Sequence, residues 1–301
     1  MGIQDRDYVR SRPVHGGGVG GGVGGMLGQG RYGSLGGQSR WSVTTWIIVL
    51  CVGVFVLDLL LVGSGLGYVR LELLYEDGVA RESYVTVAEF RELSEAGALG
   101  KVIDPRVGPI ERWGYFSADT AVLGGQLWRW LGFQFLHAGG WHLFGNMLGL
   151  YFFGSMIEQA LGRRRYLAFY LLCGIAGPLI YLLFAAAGFF STSVSTPLIG
   201  ASAGVFGVLA AAALIAPNTT VMLLFPPIPL KLRTVALLLM GWAAFTVFTN
   251  GNNAGGEAAH IGGAVLGYLL IRHPNWLKWA EAGPKTGLPK PKSSGYMRYT
   301  G

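Results

Sequence analysis

The feature that most constrains the fold of this chain is a set of six apolar runs, each close to the ~20 residues that a helix needs to cross a bilayer. The runs cover approximately residues 41–62, 140–160, 166–189, 198–216, 232–249 and 257–272. Only 13% of the residues are charged, which is about half the fraction found in soluble globular chains. The sequence therefore predicts an all-α membrane protein with six transmembrane helices over residues 41–272.

Three segments lie outside these runs. Residues 1–40 are polar and then glycine-dominated, and we expect a disordered cytoplasmic segment because they cannot bury enough surface to offset their chain entropy. A long polar insertion at about 64–126 holds ten of the sixteen acidic residues, and within it Val85–Ala98 predicts an amphipathic helix. Residues 273–301 are rich in Lys, Pro and Gly and are expected to form a flexible basic cytoplasmic tail.

Basic residues predict the orientation of the bundle. Positive charge lies in alternate segments, namely Arg163–Arg165, Lys231 with Arg233, and the tail. The segments on the opposite side, at residues 191–195 and 249–257, contain no Lys or Arg. Because positively charged loops stay in the cytoplasm, we expect both termini to be cytoplasmic and the acidic insertion to lie outside. The expected location is a bacterial inner membrane.

Charge and cysteine usage argue against two other classes of protein. The net charge of +7 is divided among short segments and the tails, so it does not indicate nucleic-acid binding. Cys51 and Cys173 both fall within apolar runs, where buried free thiols are more usual than a disulfide.

Several polar side chains interrupt the apolar runs, and an ionisable group at mid-span costs about 2.5–3.5 kcal/mol. They are Asp58, His142, Asn146, Glu158, Ser202 and His260. His142, Ser202 and His260 each lie in the first turns of a run that starts from the outer side, so three helices bring them to one depth. Taken singly, a membrane Ser can bond its own helix, and Asn146 can hold two helices together. Asp58 suits a pairing or interfacial role near the outer end of its span, and Glu158 suits anchoring the inner end of its span near Arg163–Arg165.

Glycine spacing predicts how the helices approach one another. A small-residue stripe roughly opposite Ser202 on the fourth run is formed by Gly200, Gly204 and Gly207. On the sixth run, Gly263 and Gly267 share a face with His260. Close packing along these faces would bring the imidazole within reach of a hydroxyl.

A Ser and a His on two helices are the smallest unit for acyl transfer, because the imidazole can take the proton of the hydroxyl. Phe206, one turn after Ser202, could orient the imidazole by stacking. The backbone amide at Ser202, in the first turn of its helix, and the side chains of His142 and Asn146 could bind an oxyanion. No carboxylate has an obvious position as a third member.

Together these residues resemble the rhomboid family of intramembrane serine proteases. The matching motifs are Trp128-Arg129, His137, His142-Leu-Phe-Gly-Asn146, Gly200-Ala-Ser202 and Ala259-His260-Ile-Gly262. The resemblance covers about residues 41–272 and implies a rhomboid-like six-helix bundle with a long outer insertion between helices 1 and 2. The common Gly-x-Ser-Gly motif reads Gly200-Ala-Ser202-Ala203 here, which departs from the family pattern.

The resemblance implies a serine endopeptidase that cleaves single-span membrane proteins near the outer membrane boundary through an acyl-enzyme. It implies Ser202 as nucleophile and His260 as general base, with His142, Asn146 and the Ser202 backbone binding the oxyanion. The implied supporting residues are Phe206, Gly200, Trp128, Arg129 and His137. A transmembrane protein substrate and membrane lipid are the expected partners, and no cofactor, metal or nucleic acid is expected.

Three alternatives compete with this interpretation. A soluble α/β-hydrolase also has a Gly-x-Ser-x-Gly motif before its His, but it needs a strand before the Ser, and this chain has an apolar run after it. A rhomboid-like pseudoprotease would bind membrane clients without cutting them, although such members lack the Ser or the His. A solute transporter could use intramembrane polar groups, but the two halves of this chain show no detectable repeat.

Overall fold

The computed structural model describes residues 41–74, 80–96, 101–189, 196–223 and 226–281. The glycine-rich segment 1–40 and most of the predicted tail, 282–301, lie outside the described residues. The two cysteines are buried free thiols, as predicted.

The first long helix, α1, spans Val43–Leu61. It begins after Ser42, whose hydroxyl accepts a hydrogen bond from the Thr45 amide at 2.9 Å and so satisfies one of the free amides at the helix start. The helix runs into a π-helical turn at Val62–Leu66. Within this turn Gly65 has a φ of +88°, a left-handed conformation that turns the chain toward the insertion.

The insertion contains three strands, β1 at Tyr68–Leu74, β2 at Ala80–Thr86 and β3 at Lys101–Val107. They form an antiparallel sheet in the order β2-β1-β3. Helix α2, Val87–Glu95, follows β2, and reciprocal hydrogen bonds between Thr86 and Glu89 fix its first turn. The helix lies within the predicted range, but the prediction of an all-α chain is wrong for the insertion because of the sheet.

Two short helices follow the sheet, α3 at Pro109–Gly114 and α4 at Arg129–Gly132. Asp58 of α1 reaches the start of α3, where its carboxylate accepts hydrogen bonds from the amides of Ile110 and Glu111 at 2.8 and 3.0 Å. These amides have no partner within their own helix, so the carboxylate satisfies them and joins the insertion to α1. This is the pairing role that the sequence suggested for Asp58.

Six further α-helices occur in the described part of the chain: α5 at Gly140–Gly149, α6 at Ser155–Leu161, α7 at Arg163–Ala186, α8 at Ser202–Ile215, α9 at Leu232–Phe248 and α10 at Ala254–Arg272. A π-helical turn at Leu150–Gly154 joins α5 to α6. Between α8 and α9, the short strands β4, Thr220–Met222, and β5, Pro229–Lys231, pair antiparallel.

Helices overlap all six predicted ranges, with ends that differ by several residues. Three described segments are long and apolar enough to cross a membrane, namely Val43–Leu66, Arg163–Ala186 and Ala254–Arg272. Helices α8 and α9 are apolar but shorter. Large apolar side chains are exposed along α1 and α9, as expected of surfaces that face lipid tails. The protein is therefore a membrane protein, and six crossings remain a prediction.

Small residues let α8 and α10 pack backbone against backbone. A Cβ on Gly263 would overlap the carbonyl oxygen of Ala203, and a Cβ on Gly267 would lie 2.5 Å from Cα of Gly207. Neither neighbour is a flexible side chain, so both positions require glycine at this helix separation. The glycine face predicted for the sixth run is thus the face that meets α8.

The predicted flexible tail begins with an ordered segment. Residues Pro274–Glu281 form a 3₁₀ helix that contacts α7, and the Leu277 side chain is fully buried. Glu281 forms an ion pair with Arg165 at 2.7 Å. The packed domain therefore extends to at least Glu281, beyond the predicted limit of 272.

Candidate active site

Ser202 is the first residue of α8, and the length of that helix bears on its depth. With 14 residues, α8 is about 21 Å long, shorter than the ~30 Å apolar core of a bilayer. The preceding chain is held by backbone hydrogen bonds of Leu198 with Phe116 and of Gly200 with Phe133. A helix of this length cannot reach both edges of that apolar core.

Gly200 lies next to both Ser202 and His142. Its φ of +135° is a backbone conformation that residues with a Cβ rarely adopt. A Cβ at this position would lie 2.9 Å from Nε2 of His142 and 3.5 Å from Oγ of Ser202. The space that the glycine leaves open is therefore shared by the serine hydroxyl and the His142 imidazole.

His260 of α10 is held by two contacts. The Phe206 ring of α8 stacks on its imidazole, with ring centroids 4.2 Å apart and planes inclined by 8°. Nδ1 of His260 lies 2.9 Å from Oε2 of Glu257, one turn earlier on α10. Nδ1 is thus engaged, and Nε2 is the nitrogen left for another partner. No direct hydrogen bond joins the side chains of Ser202 and His260, both of which are described.

The helix α5 carries the two candidate oxyanion donors. Asn146 follows His142 by one turn and is buried, and its side-chain nitrogen donates to the His142 carbonyl oxygen at 3.0 Å. This hydrogen bond holds the Asn146 carboxamide along the helix, one turn after His142.

One cavity of about 670 Å³ brings these groups together. Its wall includes five of the predicted site residues: His142, Asn146, Ser202, Phe206 and His260. The cavity therefore offers a hydroxyl, two imidazoles and a carboxamide to a single bound group. Among the described residues, no cluster of three His, Cys, Asp or Glu side chains could hold a metal ion.

Sequence reasoning missed two parts of this site. Glu257 was not recognised as a partner of His260, although its spacing of three residues on a helix places the two side chains on neighbouring positions. The insertion also contributes Arg70, Asp104 and Glu111 to the cavity wall. No sequence signal linked these three residues to the site, because their approach depends on the sheet.

Two supporting residues lie outside the cavity and tie the loop before α4 together. The Trp128 indole donates to the carbonyl oxygen of Trp113 at 3.0 Å. Arg129 is buried, and its guanidinium donates to the Tyr115 carbonyl oxygen at 2.7 Å and to the Gln126 side chain at 2.6 Å. These contacts are structural, in keeping with the role that the family pattern implies.

His137 is a buried neighbour of His142, with ring centroids 5.2 Å apart and planes inclined by 64°. Burial, together with the nearby His142, lowers the pKa of His137 to about 3. The His137 ring is therefore neutral at physiological pH and packs against His142 without adding a charge to the site.

Glu158 has a different partner from the one expected. The sequence placed it near Arg163–Arg165, but its carboxylate accepts hydrogen bonds from the amides of Val43 and Thr44 and from the Thr44 hydroxyl, at 2.8–3.0 Å. It therefore caps the start of α1 and takes no part in the cavity.

Ala203, which replaces the glycine common in the family motif, is accommodated by Gly177 of α7. A Cβ on Gly177 would lie 2.8 Å from the Ala203 methyl carbon. The methyl group therefore occupies space that the glycine on the facing helix leaves free.

Comparison with known proteins identifies the family. Residues 124–273, which contain all of the candidate catalytic and oxyanion residues, match the rhomboid domain. The chain belongs to the rhomboid family.

Three relatives show the extent of the similarity. Rhomboid protein 1, mitochondrial, of Saccharomyces cerevisiae is 31% identical over 147 residues, which are 46% of this chain and 39% of that protein. RHOMBOID-like protein 7 of Arabidopsis thaliana is 29% identical over 213 residues, or 69% of this chain and 64% of that protein. Inactive RHOMBOID-like protein 8 of the same plant is 34% identical over 122 residues, or 40% and 31%.

The alignments cover less than two thirds of each of these rhomboids. The three proteins come from a yeast and a plant, and one is named as mitochondrial. They therefore do not support the prediction of a bacterial inner membrane.

Proposed function

We propose that this rhomboid is an intramembrane serine endopeptidase with Ser202 as nucleophile and His260 as general base. The observation that carries the proposal is the single cavity that both side chains line together with His142 and Asn146. A hydroxyl, an imidazole and further hydrogen-bond donors around one pocket are the groups that acyl transfer requires.

In the proposed reaction, Oγ of Ser202 attacks the scissile carbonyl carbon while Nε2 of His260 takes the hydroxyl proton. The carbonyl electron pair moves to oxygen, and this oxyanion accepts hydrogen bonds from the Ser202 amide, His142 and Asn146. As the C–N bond breaks, His260 gives its proton to the leaving amine and an acyl-enzyme remains. Water then attacks the ester by the same route, which releases the acid and restores Ser202.

We further propose a single-span membrane protein as substrate, cut near the outer membrane boundary, in a bundle that crosses the membrane six times with both termini cytoplasmic. Val235 and Leu239 of α9 line the cavity, so its side wall includes apolar residues that suit contact with a transmembrane segment or lipid. The short α8, with Ser202 at its start, also supports cleavage below the surface.

A second candidate is a pseudoprotease that binds membrane clients without cutting them. Two observations favour it: the similarity to a relative named as inactive, and the missing hydrogen bond between Ser202 and His260. The presence of both residues in one cavity favours the protease.

Fluorophosphonate labelling of the purified protein in detergent distinguishes the two, because the reagent reacts with an activated serine. We expect labelling, and cleavage of a designed single-span reporter, to fall to background in both Ser202→Ala and His260→Ala. Ser155→Ala, which removes an exposed hydroxyl on α6, is the matched control and should label normally. Labelling that persists in Ser202→Ala refutes the nucleophile, and a folded unsubstituted protein that never labels favours the pseudoprotease.

A further inference from the structure

We propose that Glu257 is a positioning residue for His260, so that the site works with three side chains rather than two. This inference rests on the protease function proposed above. Oε2 of Glu257 lies 2.9 Å from Nδ1 of His260, a hydrogen-bond distance. Because Glu257 precedes His260 by three residues on α10, the helix itself holds the two side chains on neighbouring positions.

The carboxylate decides which ring nitrogen carries the hydrogen. An ionised carboxylate only accepts hydrogen bonds, so Nδ1 of a neutral His260 must hold the hydrogen and Nε2 must hold the lone pair. This is the tautomer that can take a proton from Ser202. After the transfer, the imidazolium has a negative charge beside it, which stabilises the protonated state during the reaction.

Burial strengthens this interaction. The side chains of His260 and Glu257 are only 15% and 14% exposed, so water screens their attraction weakly. Phe206 fixes one face of the imidazole and Glu257 fixes one edge, which leaves the ring little freedom to rotate. Glu257 also lies in the first turn of α10, where the helix dipole favours a negative charge.

Other charged groups are near but do not replace Glu257. Besides His260, the ionisable His, Arg, Asp and Glu side chains on the cavity wall are His142 of α5 and Arg70, Asp104 and Glu111 of the insertion. Within the described part of the chain, Glu257 is the hydrogen-bond partner of the His260 ring. A carboxylate that only stabilised the first turn of α10 would not need to contact Nδ1 of His260, the nitrogen whose hydrogen bond sets the tautomer.

The test is the rate of the fluorophosphonate reaction as a function of pH, measured on the full chain in detergent. In this reaction the Oγ–P bond forms, the P–F bond breaks, fluoride leaves, and His260 takes the serine proton. We expect Glu257→Gln to lower the maximal rate constant roughly 10- to 100-fold, with the half-saturating reagent concentration unchanged. The fall should appear at every pH tested, because the Gln carboxamide can donate to Nδ1 as well as accept from it and so no longer fixes the tautomer.

Two further variants sharpen the comparison. Glu257→Asp keeps the charge but shortens its reach, so its rate should lie between those of Glu257→Gln and the unsubstituted protein. Glu89→Gln removes a first-turn carboxylate from α2, on the insertion, and should change neither the rate nor the pH profile.

The outcomes separate this inference from the proposed function. If Glu257→Gln and Glu257→Asp keep the full rate at every pH tested while only their unfolding temperature falls, Glu257 is merely structural and the inference is overturned. The Ser202–His260 proposal would survive that result. If the unsubstituted protein neither labels nor cleaves, both proposals are wrong.

Discussion

At the scale of single residues, the site depends on Gly200 as well as on its reactive groups. Gly200→Ala would place a Cβ 2.8 Å from the His142 ring on a backbone with a φ of +135°. The strain of such a conformation is about 1–3 kcal/mol, and the His142 ring must move. We expect the fluorophosphonate reaction rate to fall at least about 10-fold, because small displacements of positioned groups are costly to catalysis.

A matched glycine provides the control for that substitution. Gly139 has an extended backbone, and a methyl group added there would meet no atom within 4 Å, so Gly139→Ala should react at the normal rate. Equal rates for the two alanine variants would show that the open space at Gly200 is not required.

The candidate site residues could be picked out from the sequence, but the contacts between them could not. Ser202, His142 and His260 stand out in the sequence because polar groups in apolar runs are costly. Each also lies in the first turns of an apolar run predicted to start from the outer side of the membrane. Glu257 precedes the sixth run's His by three residues, but its spacing alone does not say whether the carboxylate turns to the ring or to solvent. That choice depends on the burial that α8 and α10 impose by packing together.

At the scale of elements, α7 and α8 fit together because Gly177 faces Ala203. Gly177→Ala would put two methyl carbons 2.8 Å apart and crowd Ala259 of α10 as well, so we expect a loss of about 1–3 kcal/mol in unfolding free energy. Thermal unfolding in detergent measures the effect.

A double-mutant cycle tests whether Ala203 causes that crowding. Gly177→Ala should be less destabilising in the Ala203→Gly background than in the unsubstituted chain, since one of the two methyl groups is then absent. Additive effects of the two substitutions would mean that the contact with Ala259 alone sets the cost. Gly241→Ala on α9, where no atom lies within 4 Å, is the helix-glycine control.

The elements were predictable to different degrees. The apolar runs located the helices, because in lipid the backbone N–H and C=O groups of a crossing segment must hydrogen-bond to each other within a helix. The sheet of the insertion was missed, although its first strand shows the alternation of apolar and polar residues that indicates a strand. Val69 and Leu71 are buried, and the residues that follow each of them, Arg70 and Glu72, are charged and only partly buried. The Asp77-Gly78 dipeptide, a common hairpin signal, follows β1 in the sequence.

At the scale of the whole molecule, the insertion and the helical domain meet around a group of acids. Asp58 of α1 binds the start of α3, and Asp104 of β3 and Glu111 of α3 lie nearby, both on the wall of the candidate active-site cavity. Burial, followed by the charges of Asp104 and Asp58, raises the pKa of Glu111 to about 7, while Arg70 opposes this shift. The ionised form of Glu111 is therefore disfavoured in the folded protein, and its charge destabilises the contact between the insertion and the helical domain.

The sign of the resulting pH dependence follows from proton linkage. Between the unfolded pKa of 4.5 and the folded value of about 7, the folded protein binds more protons at Glu111 than the unfolded chain does, so stability falls as pH rises through this window. Glu111→Gln removes the penalty, and we expect it to unfold at a higher temperature than the unsubstituted protein at pH 8, with a gain on the order of 1–3 kcal/mol, and to show little gain at pH 4.5. Thermal unfolding at both pH values measures this, with the exposed Glu92→Gln on α2 as the control. A variant that gains nothing at pH 8 would mean that Glu111 is solvated in the folded protein and that the acids do not oppose docking of the insertion.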